Sequence, residues 1–179
     1  MALAERVRHA DFLSRSMTAE QAAQHVAHGA TVGLSGFTGA GYPKALPQAI
    51  AAHAQSEHKA GRPYRINVWT GASTAPEVDG LLAAADAMAQ RLPFNSDAMA
   101  RKKINAGEID YIDMHLSHVA QHAWFGFLGR LDVAIIEIVG VTADGLLIPS
   151  TAVGNNKTWL EIADKVILEV NTKPPAKME

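Results

Sequence analysis

The sequence predicts an α/β fold of three layers, in which helices cover both faces of a mostly parallel sheet. Short apolar runs typical of strands alternate along the chain with helical segments. The strongest strand signal, Leu131–Ile136, is apolar on both faces, as in a buried parallel sheet. The chain has 179 residues, 48% hydrophobic and 19% charged, which is enough for one well-buried α/β domain.

The helices are predicted from capping signals and from apolar residues at helical spacing. Thr18 and Gln21 have the spacing of a capping box, and the alanine-rich stretch after them ends at Gly29. The segment Asp79–Gln90 has apolar residues on one helical face. In order, the predicted helices are 18–29, Pro43–His58, Asp79–Gln90, a segment from Ser96 or Asp97 to just before Gly107, Ser117–Phe127 and Asn156–Ala163.

The strands are predicted from short runs of apolar residues between these helices. They are Thr31–Leu34, Ile66–Thr70, Ile109–Met114, Leu131–Ile136 and Lys165–Val170. A hairpin turn is predicted at Ala143–Leu146, where an Asp-Gly pair lies between apolar residues. The proline-containing segment 171–179 after the last strand is interpreted as the start of a linker, with a frayed tail as the alternative.

Composition excludes several function classes. A net charge of −2 provides no electrostatic basis for binding nucleic acid or an anionic membrane. The chain has no cysteine, which excludes disulfides and thiolate chemistry and agrees with a reducing compartment. No apolar run has the length of a transmembrane helix. We therefore expect a cytoplasmic bacterial protein, although the arginines near the N-terminus leave a transit peptide as an alternative.

The most informative motif is a glycine-rich run between the first strand and the next helix. Gly36, Gly39 and Gly41 precede Pro43, a residue suited to the first turn of a helix. A loop that leads into a helix N-terminus suits an anion, whereas the simpler interpretation is a tight turn. The spacing matches neither a dinucleotide fingerprint nor a P-loop.

Three other constellations suggest chemistry. Ser35 and Ser73 each lie in a sequence that partly matches a serine-hydrolase elbow, but no acid-then-histidine order follows. His118 and His122 have the spacing of helical zinc ligands, or are simply polar helix residues. Glu137 follows the strand Leu131–Ile136, so it is either a ligand-facing carboxylate, a solvated strand terminus or a supporting hydrogen-bond acceptor.

Seven sequence blocks resemble one family. They are Gly33–Pro43, Thr70–Thr74, Pro93–Asp97, Ile104–Glu108, Asp113–Ser117, Thr142–Gly145 and Ser150–Asn155. In this order they are similar to the acetyl-CoA hydrolase / succinyl-CoA:acetate CoA-transferase group of class I CoA-transferases. The resemblance implies a ribose-5-phosphate isomerase-like fold and corresponds to the N-terminal half of longer, two-domain proteins.

The resemblance also implies the chemistry and the site. Family members use a nucleophilic glutamate in the second half, so no residue here is expected to be the nucleophile and this part alone should be inactive. Coenzyme A would be a substrate, with no tightly bound cofactor and no metal. The partners would be acyl-CoA, small carboxylates such as acetate and succinate, and the chain's own C-terminal domain, with a homodimer left open.

By the same resemblance, two serines are the main candidates for substrate binding. Ser73 and Ser96 would place hydroxyls in the acyl cleft, supported by the remaining candidates. These are Thr74, Asn95, Gly154 and Asn155, with the backbone of Gly36, Gly39 and Gly41 close to the substrate. Ser96 is alternatively an N-cap and Asn155 a turn residue. Rival functions are an anion-binding module without catalysis and a small serine hydrolase using Ser73.

Overall fold

The strands of the chain form one sheet in the computed structural model, which describes residues 3–72 and 75–174. In the described residues they are β1 (Thr31–Leu34), β2 (Ile66–Trp69), β3 (Met88–Leu92), β4 (Asp110–Tyr111), β5 (Val133–Val141), β6 (Leu147–Pro149) and β7 (Lys165–Val170). Their order is β4-β3-β2-β1-β5-β6, and β7 also pairs with β5. All pairs are parallel except β5 with β6, so the predicted mostly parallel sheet is confirmed.

Helices pack on both faces of this sheet. They are α1 (Leu3–Arg6), α2 (Ala10–Ser14), α3 (Ala19–Ala23), α4 (Ala45–Lys59), α5 (Asp79–Ala84), α6 (Ala98–Asn105), α7 (Leu116–Trp124) and α8 (Asn156–Ile162). One buried cluster contains side chains from α3 to α6, and the other contains side chains from α7, α8 and Val7. Strand β5 supplies Val133 and Ile135 to the first cluster and Ala134 and Ile136 to the second. This alternation confirms the three layers.

Strand β3 corrects the prediction of one long helix over Asp79–Gln90. The helix ends at Ala84, Asp86 adopts a φ of 55°, and Met88–Leu92 pairs in parallel with β2. The run Met-Ala-Gln-Arg-Leu consists of good helix formers, but the backbone hydrogen bonds that β2 offers on this side favour a strand. Tertiary pairing therefore overrides local propensity.

Other boundaries also differ from the predictions. Helix α3 has the predicted capping box but stops at Ala23, well before Gly29. Helix α7 begins at Leu116 after His115 and is not capped by Ser117, and β4 covers only two of the six residues predicted for it. The short helices α1 and α2 were not predicted. The hairpin is confirmed, because the Thr142 N–H donates to the Leu146 carbonyl at 2.9 Å.

Candidate functional site

Four loops meet at one edge of the sheet. The glycine loop (residues 35–44) follows β1. Residues 70–72 and 75–78 follow β2, residues 93–97 follow β3, and residues 150–155 precede α8. The strand order also reverses direction here, because β1 lies between β2 and β5. In open parallel sheets, ligands bind beyond the carboxyl ends of the strands at such a switch point. This edge is the candidate site.

The tip of the glycine loop is a tight turn. The Phe37 N–H donates to the Ala40 carbonyl at 2.8 Å, and the reverse bond measures 3.0 Å. Thr38 and Gly39 lie between them with φ values of 44° and 80°, the combination required by a type I′ turn. A Cβ on Gly39 would meet no atom within 4 Å. Gly39 is therefore the open point of the loop.

The other two glycines of the loop are needed because protein backbone comes close to them. A Cβ on Gly36 would lie 2.6 Å from Tyr42 Cβ, and one on Gly41 would lie 2.7 Å from the Ala152 carbonyl oxygen. Both glycines are buried and have positive φ. Contacts within the chain thus explain why glycine is needed at both positions, and their close approach to a substrate stays a prediction.

The loop before α8 packs directly on the glycine loop. A Cβ on Gly154 would come within 3.1 Å of the Gly36 carbonyl oxygen, and one on Gly71 within 2.8 Å of the same atom. Asn155 donates from Nδ2 to the Thr70 carbonyl at 3.5 Å and makes no side-chain cap on α8. The structure thus brings Gly36, Gly154 and Asn155 together with the end of β2.

The loop after β3 holds the next two predicted residues. Asn95 donates to the Asp97 carbonyl at 3.2 Å and accepts from the Asp97 N–H at 3.1 Å. Asp97 in turn caps α6 by accepting from Ala100 N–H at 2.9 Å. The alternative that Ser96 is the N-cap is therefore wrong. Ser96 is exposed, beside Phe94, whose exposed fraction is 52%.

A buried ion pair supports this loop from below. Arg91 on β3 and Asp79 at the start of α5 are both fully buried, with Nε and Oδ1 2.7 Å apart. Arg91 also donates to the Leu92 carbonyl, at the point where the loop begins. Tyr111 donates to the Pro93 carbonyl at 3.2 Å from the other side. The sequence analysis did not single out this support, because nothing local marks Arg91 as buried.

A carboxylate of the chain itself binds the N-terminus of α4. Glu169 on β7 accepts from the backbone N–H of Lys44 at 2.6 Å, of Ala45 at 3.2 Å and of Leu46 at 2.8 Å. The helix starts at Ala45 rather than at Pro43. The anion predicted for this helix N-terminus is thus a carboxylate of the chain, which argues against an anion ligand held there.

Glu137 is also held by the glycine loop. It lies inside β5, is 2% exposed and pairs with Lys44 Nζ at 2.5 Å. Asn171 donates to the same carboxylate at 3.3 Å. The interpretation of Glu137 as a solvated strand terminus is wrong, because β5 continues to Val141. Its position fits the supporting acceptor instead.

Tyr42 connects this pair to the loop after β2. Its ring lies 4.0 Å below the Lys44 ammonium. Burial raises the pKa of Tyr42, and the charge of Glu77 together with its hydrogen bond to the phenol raises that pKa further. The polar side chains on the inner side of the glycine loop are therefore bound to other residues of the chain.

The remaining candidates fall into three cases. Ser73 and Thr74 lie outside the described residues. Ser35 is fully buried, donates to the Gly41 carbonyl and accepts from the Glu137 N–H, both at 2.9 Å, so it is a structural link and not an elbow nucleophile. His118 and His122 are neighbours on α7, and within residues 3–72 and 75–174 no three His, Asp or Glu side chains form a metal-binding group.

Two polar atoms at this edge were missed by the sequence analysis. Ser150 Oγ and Asn156 Oδ1 are buried and have no hydrogen-bond partner among the described residues. Ser150 is the first residue of the block Ser150–Asn155, and Asn156 directly follows it. Buried polar atoms are normally satisfied, so their position next to Gly154 and Asn155 extends the candidate site toward α8.

Comparison with known proteins identifies the chain's relatives. The profile of the acetyl-CoA hydrolase/transferase N-terminal domain matches residues 1–179. The chain is 46% identical to propanoyl-CoA:succinate CoA transferase of Escherichia coli over 155 residues, which cover 87% of this chain and 32% of that protein. It is 39% identical to succinyl-CoA:acetate CoA-transferase of Clostridium kluyveri, covering 98% of this chain and 32% of that protein.

Acetyl-CoA hydrolases are also similar. The Saccharomyces cerevisiae protein is 36% identical over 181 residues, which cover 97% of this chain and 34% of that protein. The chain thus spans about a third of the length of the curated relatives it matches.

Solved structures share the fold. RipA of Yersinia pestis superposes with a TM-score of 0.67 at 18% identity, over 87% of this chain and 36% of that one. Glutaconate coenzyme A-transferase of Acidaminococcus fermentans gives 0.63 at 15% identity, over 86% and 68%. Within the described residues, no helix has the length and apolarity needed to cross a membrane.

Proposed function

The chain belongs to the acetyl-CoA hydrolase/transferase family, and on that premise we propose that it forms the N-terminal part of an enzyme that moves coenzyme A between an acyl-CoA and a carboxylate. The observation that carries the proposal is the family match over residues 1–179. Relatives with more than 30% identity, named CoA-transferases and acetyl-CoA hydrolases, support it. The acyl group would be acetyl or succinyl, and the location cytoplasmic.

The proposed reaction proceeds through a glutamate supplied by the rest of the protein. Its carboxylate attacks the thioester carbonyl, releasing CoA thiolate and forming a mixed anhydride. The thiolate then attacks the glutamyl carbonyl, which gives a glutamyl-CoA thioester and frees the first carboxylate. An acceptor carboxylate reverses these two steps to form the new acyl-CoA. Attack by water on the glutamyl thioester makes the protein a hydrolase.

The two glutamates that contact the glycine loop are poorly placed to be the nucleophile. A nucleophile must reach the substrate carbonyl, whereas Glu137 is buried against Lys44 and Glu169 binds the first turn of α4. Both carboxylates are therefore engaged in structure. In the proposal this part contributes the loops at the carboxyl edge, with Ser73 and Ser96 as hydroxyl donors to the acyl or carboxylate group.

The test is to combine this chain with the two thirds of a relative that it does not span. This chain replaces the matching N-terminal third of the E. coli relative, and thioester turnover is followed by thiol release and by transfer of CoA from succinyl-CoA to acetate. The chain has no cysteine, so it adds no thiol background. The intact relative is the positive control, and its C-terminal two thirds alone are the negative control.

We expect turnover by the fusion and none by the 179-residue chain alone. Robust turnover by the chain alone would overturn the proposal, because its nucleophile would then lie within these residues. A fusion that is folded by circular dichroism and gel filtration but inactive with every acyl-CoA and acceptor tested would overturn it as well.

A further inference from the structure

Two carboxylates on neighbouring strands hold the same residue of the glycine loop. Glu137 on β5 and Glu169 on β7 are register partners in a parallel pair, so their side chains lie side by side on one face of the sheet. Glu137 binds the side chain of Lys44, and Glu169 binds its backbone N–H. Lys44 is thus held both at its side-chain ammonium and at its backbone N–H.

Electrostatics makes the three groups interdependent. Two adjacent carboxylates repel each other unless each meets positive charge. The Lys44 ammonium lies 2.5 Å from Glu137, and the first turn of α4, with its positive dipole end, meets Glu169. If Glu137 loses the Lys44 ammonium, or Glu169 loses the first turn of α4, the repulsion between the two carboxylates is less well compensated.

The same arrangement anchors the whole glycine loop. At its start, Ser35 links the Glu137 N–H to the Gly41 carbonyl. At its end, Lys44 Nζ donates to the Tyr42 carbonyl at 2.7 Å and lies over the Tyr42 ring. Only the tip, where Phe37 is 50% exposed, projects away from these anchors. The position of the glycine loop at the site is therefore determined by its contacts with β5 and β7.

We propose that Glu137 and Glu169 are positioning residues that act through Lys44 to hold the glycine loop in the conformation that completes the acyl-binding edge. The inference rests on the proposed function and adds residues that need not touch the substrate. Its physical basis is that a small misplacement of a binding loop lowers turnover strongly even when the reacting groups are intact.

The first test is amide hydrogen exchange by NMR on the 179-residue chain. First-turn N–H groups of a helix have no intrahelical partner and ordinarily exchange fast. Here we expect protection at Lys44, Ala45 and Leu46, because each donates to Glu169. Glu169→Gln removes the charge and one of the two acceptor oxygens, so exchange of at least one of the three N–H groups should accelerate about tenfold or more. The matched control is Glu161→Gln, which removes a carboxylate from the outer side of α8 and should change none of the three rates.

The second test measures kinetics in the fusion with the E. coli relative. Glu169→Gln and Lys44→Met should each lower kcat/KM about tenfold or more at temperatures where the variants are fully folded, and Glu161→Gln should not. A purely structural role would lower the melting temperature and leave kcat and KM of the folded enzyme unchanged. If Glu169→Gln does not fold, Lys44→Met carries the same kinetic prediction, because it keeps the backbone N–H that Glu169 binds.

The outcomes separate the two claims. Unchanged exchange in Glu169→Gln, or faster exchange with unchanged kcat and KM, overturns this inference and leaves the proposed function standing. If the fusion without any substitution is inactive, the proposed function is overturned, and with it the role of the Glu169 contact in catalysis. Faster exchange with a lowered kcat/KM supports the inference.

Discussion

The glycine loop and the loop after β3 leave the same edge of the sheet but are stabilised in opposite ways. The glycine loop is held by distant partners on β5, β7 and the loop before α8. The loop at 93–97 is closed by its own neighbours, through the mutual bonds of Asn95 and Asp97, and its base rests on Arg91 and Tyr111. Its exposed side chains, Phe94 and Ser96, face outward. The glycine-rich segment is therefore packed into the framework of this edge, whereas the β3 side places Phe94 and Ser96 at the surface.

The largest expected effect comes from breaking the support of the β3 side. Arg91→Met leaves the Asp79 carboxylate buried without its guanidinium partner. We expect the free energy of unfolding to fall by about 3–5 kcal/mol, measured by urea unfolding followed by the fluorescence of the buried Trp69 and Trp159. The double variant Arg91→Met/Asp79→Leu should recover part of this loss. A loss below about 1 kcal/mol in the single variant would contradict this account of the pair.

A matched pair of glycine variants tests the framework role of the glycine loop. Both positions have positive φ, but a Cβ at Gly41 meets backbone at 2.7 Å and one at Gly39 meets nothing within 4 Å. Gly41→Ala should cost about 3 kcal/mol of stability, from the left-handed backbone and the clash, and Gly39→Ala about 1 kcal/mol. Thermal unfolding of both variants measures the difference. Equal losses would show that the loop is not packed as described.

Alkaline pH provides a test away from both loops. The Tyr64 hydroxyl donates to the Val26 carbonyl at 2.8 Å, and burial raises its pKa to about 12. Because the folded pKa exceeds the unfolded value, the stabilisation is fully present below pH 10 and is lost as pH rises through 12. We expect a decrease of about 3 kcal/mol across that window.

Tyrosine variants identify which region causes that alkaline decrease. Tyr64→Phe should remove most of the pH dependence between pH 10 and 12, and Tyr42→Phe, on the glycine loop, a smaller part. Urea unfolding at a series of pH values measures both. An unchanged slope in Tyr64→Phe would assign the alkaline sensitivity to another group.

The smallest expected effect concerns the exposed hydroxyl. In the fusion with the E. coli relative, Ser96→Ala should lower kcat/KM about tenfold, close to the value of one hydrogen bond to a charged group, and lower stability by about 1 kcal/mol or less. Asp97→Ala is the matched variant, since it removes the α6 cap at a cost of about 1 kcal/mol in stability. If both variants lower kcat/KM equally, the effect of Ser96 is structural.

Strands buried on both faces could be predicted from the sequence, because their apolar residues are contiguous. The runs at β1, β2 and β5 were found for this reason, and β7, which is only half-buried, was found from its own contiguous apolar run. Strand β3 was not, because Met88, Gln90 and Arg91 favour a helix and only the neighbouring β2 makes the segment extended. The capping box at Thr18 was predictable, since its two partners are three residues apart.

The candidate site was predictable only in its outline. The loops were located because glycine and proline mark turns locally, and Asn155 does lie beside Gly154 and the end of β2. The partners of the glycine loop were not predictable. Glu169 lies 125 residues from Lys44 and Glu137 lies 93 residues away, and no local pattern indicates that a carboxylate will accept from a helix start so far along the chain.

The contact between Glu169 and residue 44 also determines when the glycine loop can form during synthesis on the ribosome. The loop and α4 emerge early, but the carboxylate that binds them is 125 residues further along. At about 5–20 residues per second, translation reaches it roughly 6–25 s later. Until then the first turn of α4 has no anion at its N-terminus, and Glu137, 93 residues after Lys44, is itself made only shortly before Glu169. The glycine loop is thus synthesised well before the carboxylate that completes its contacts.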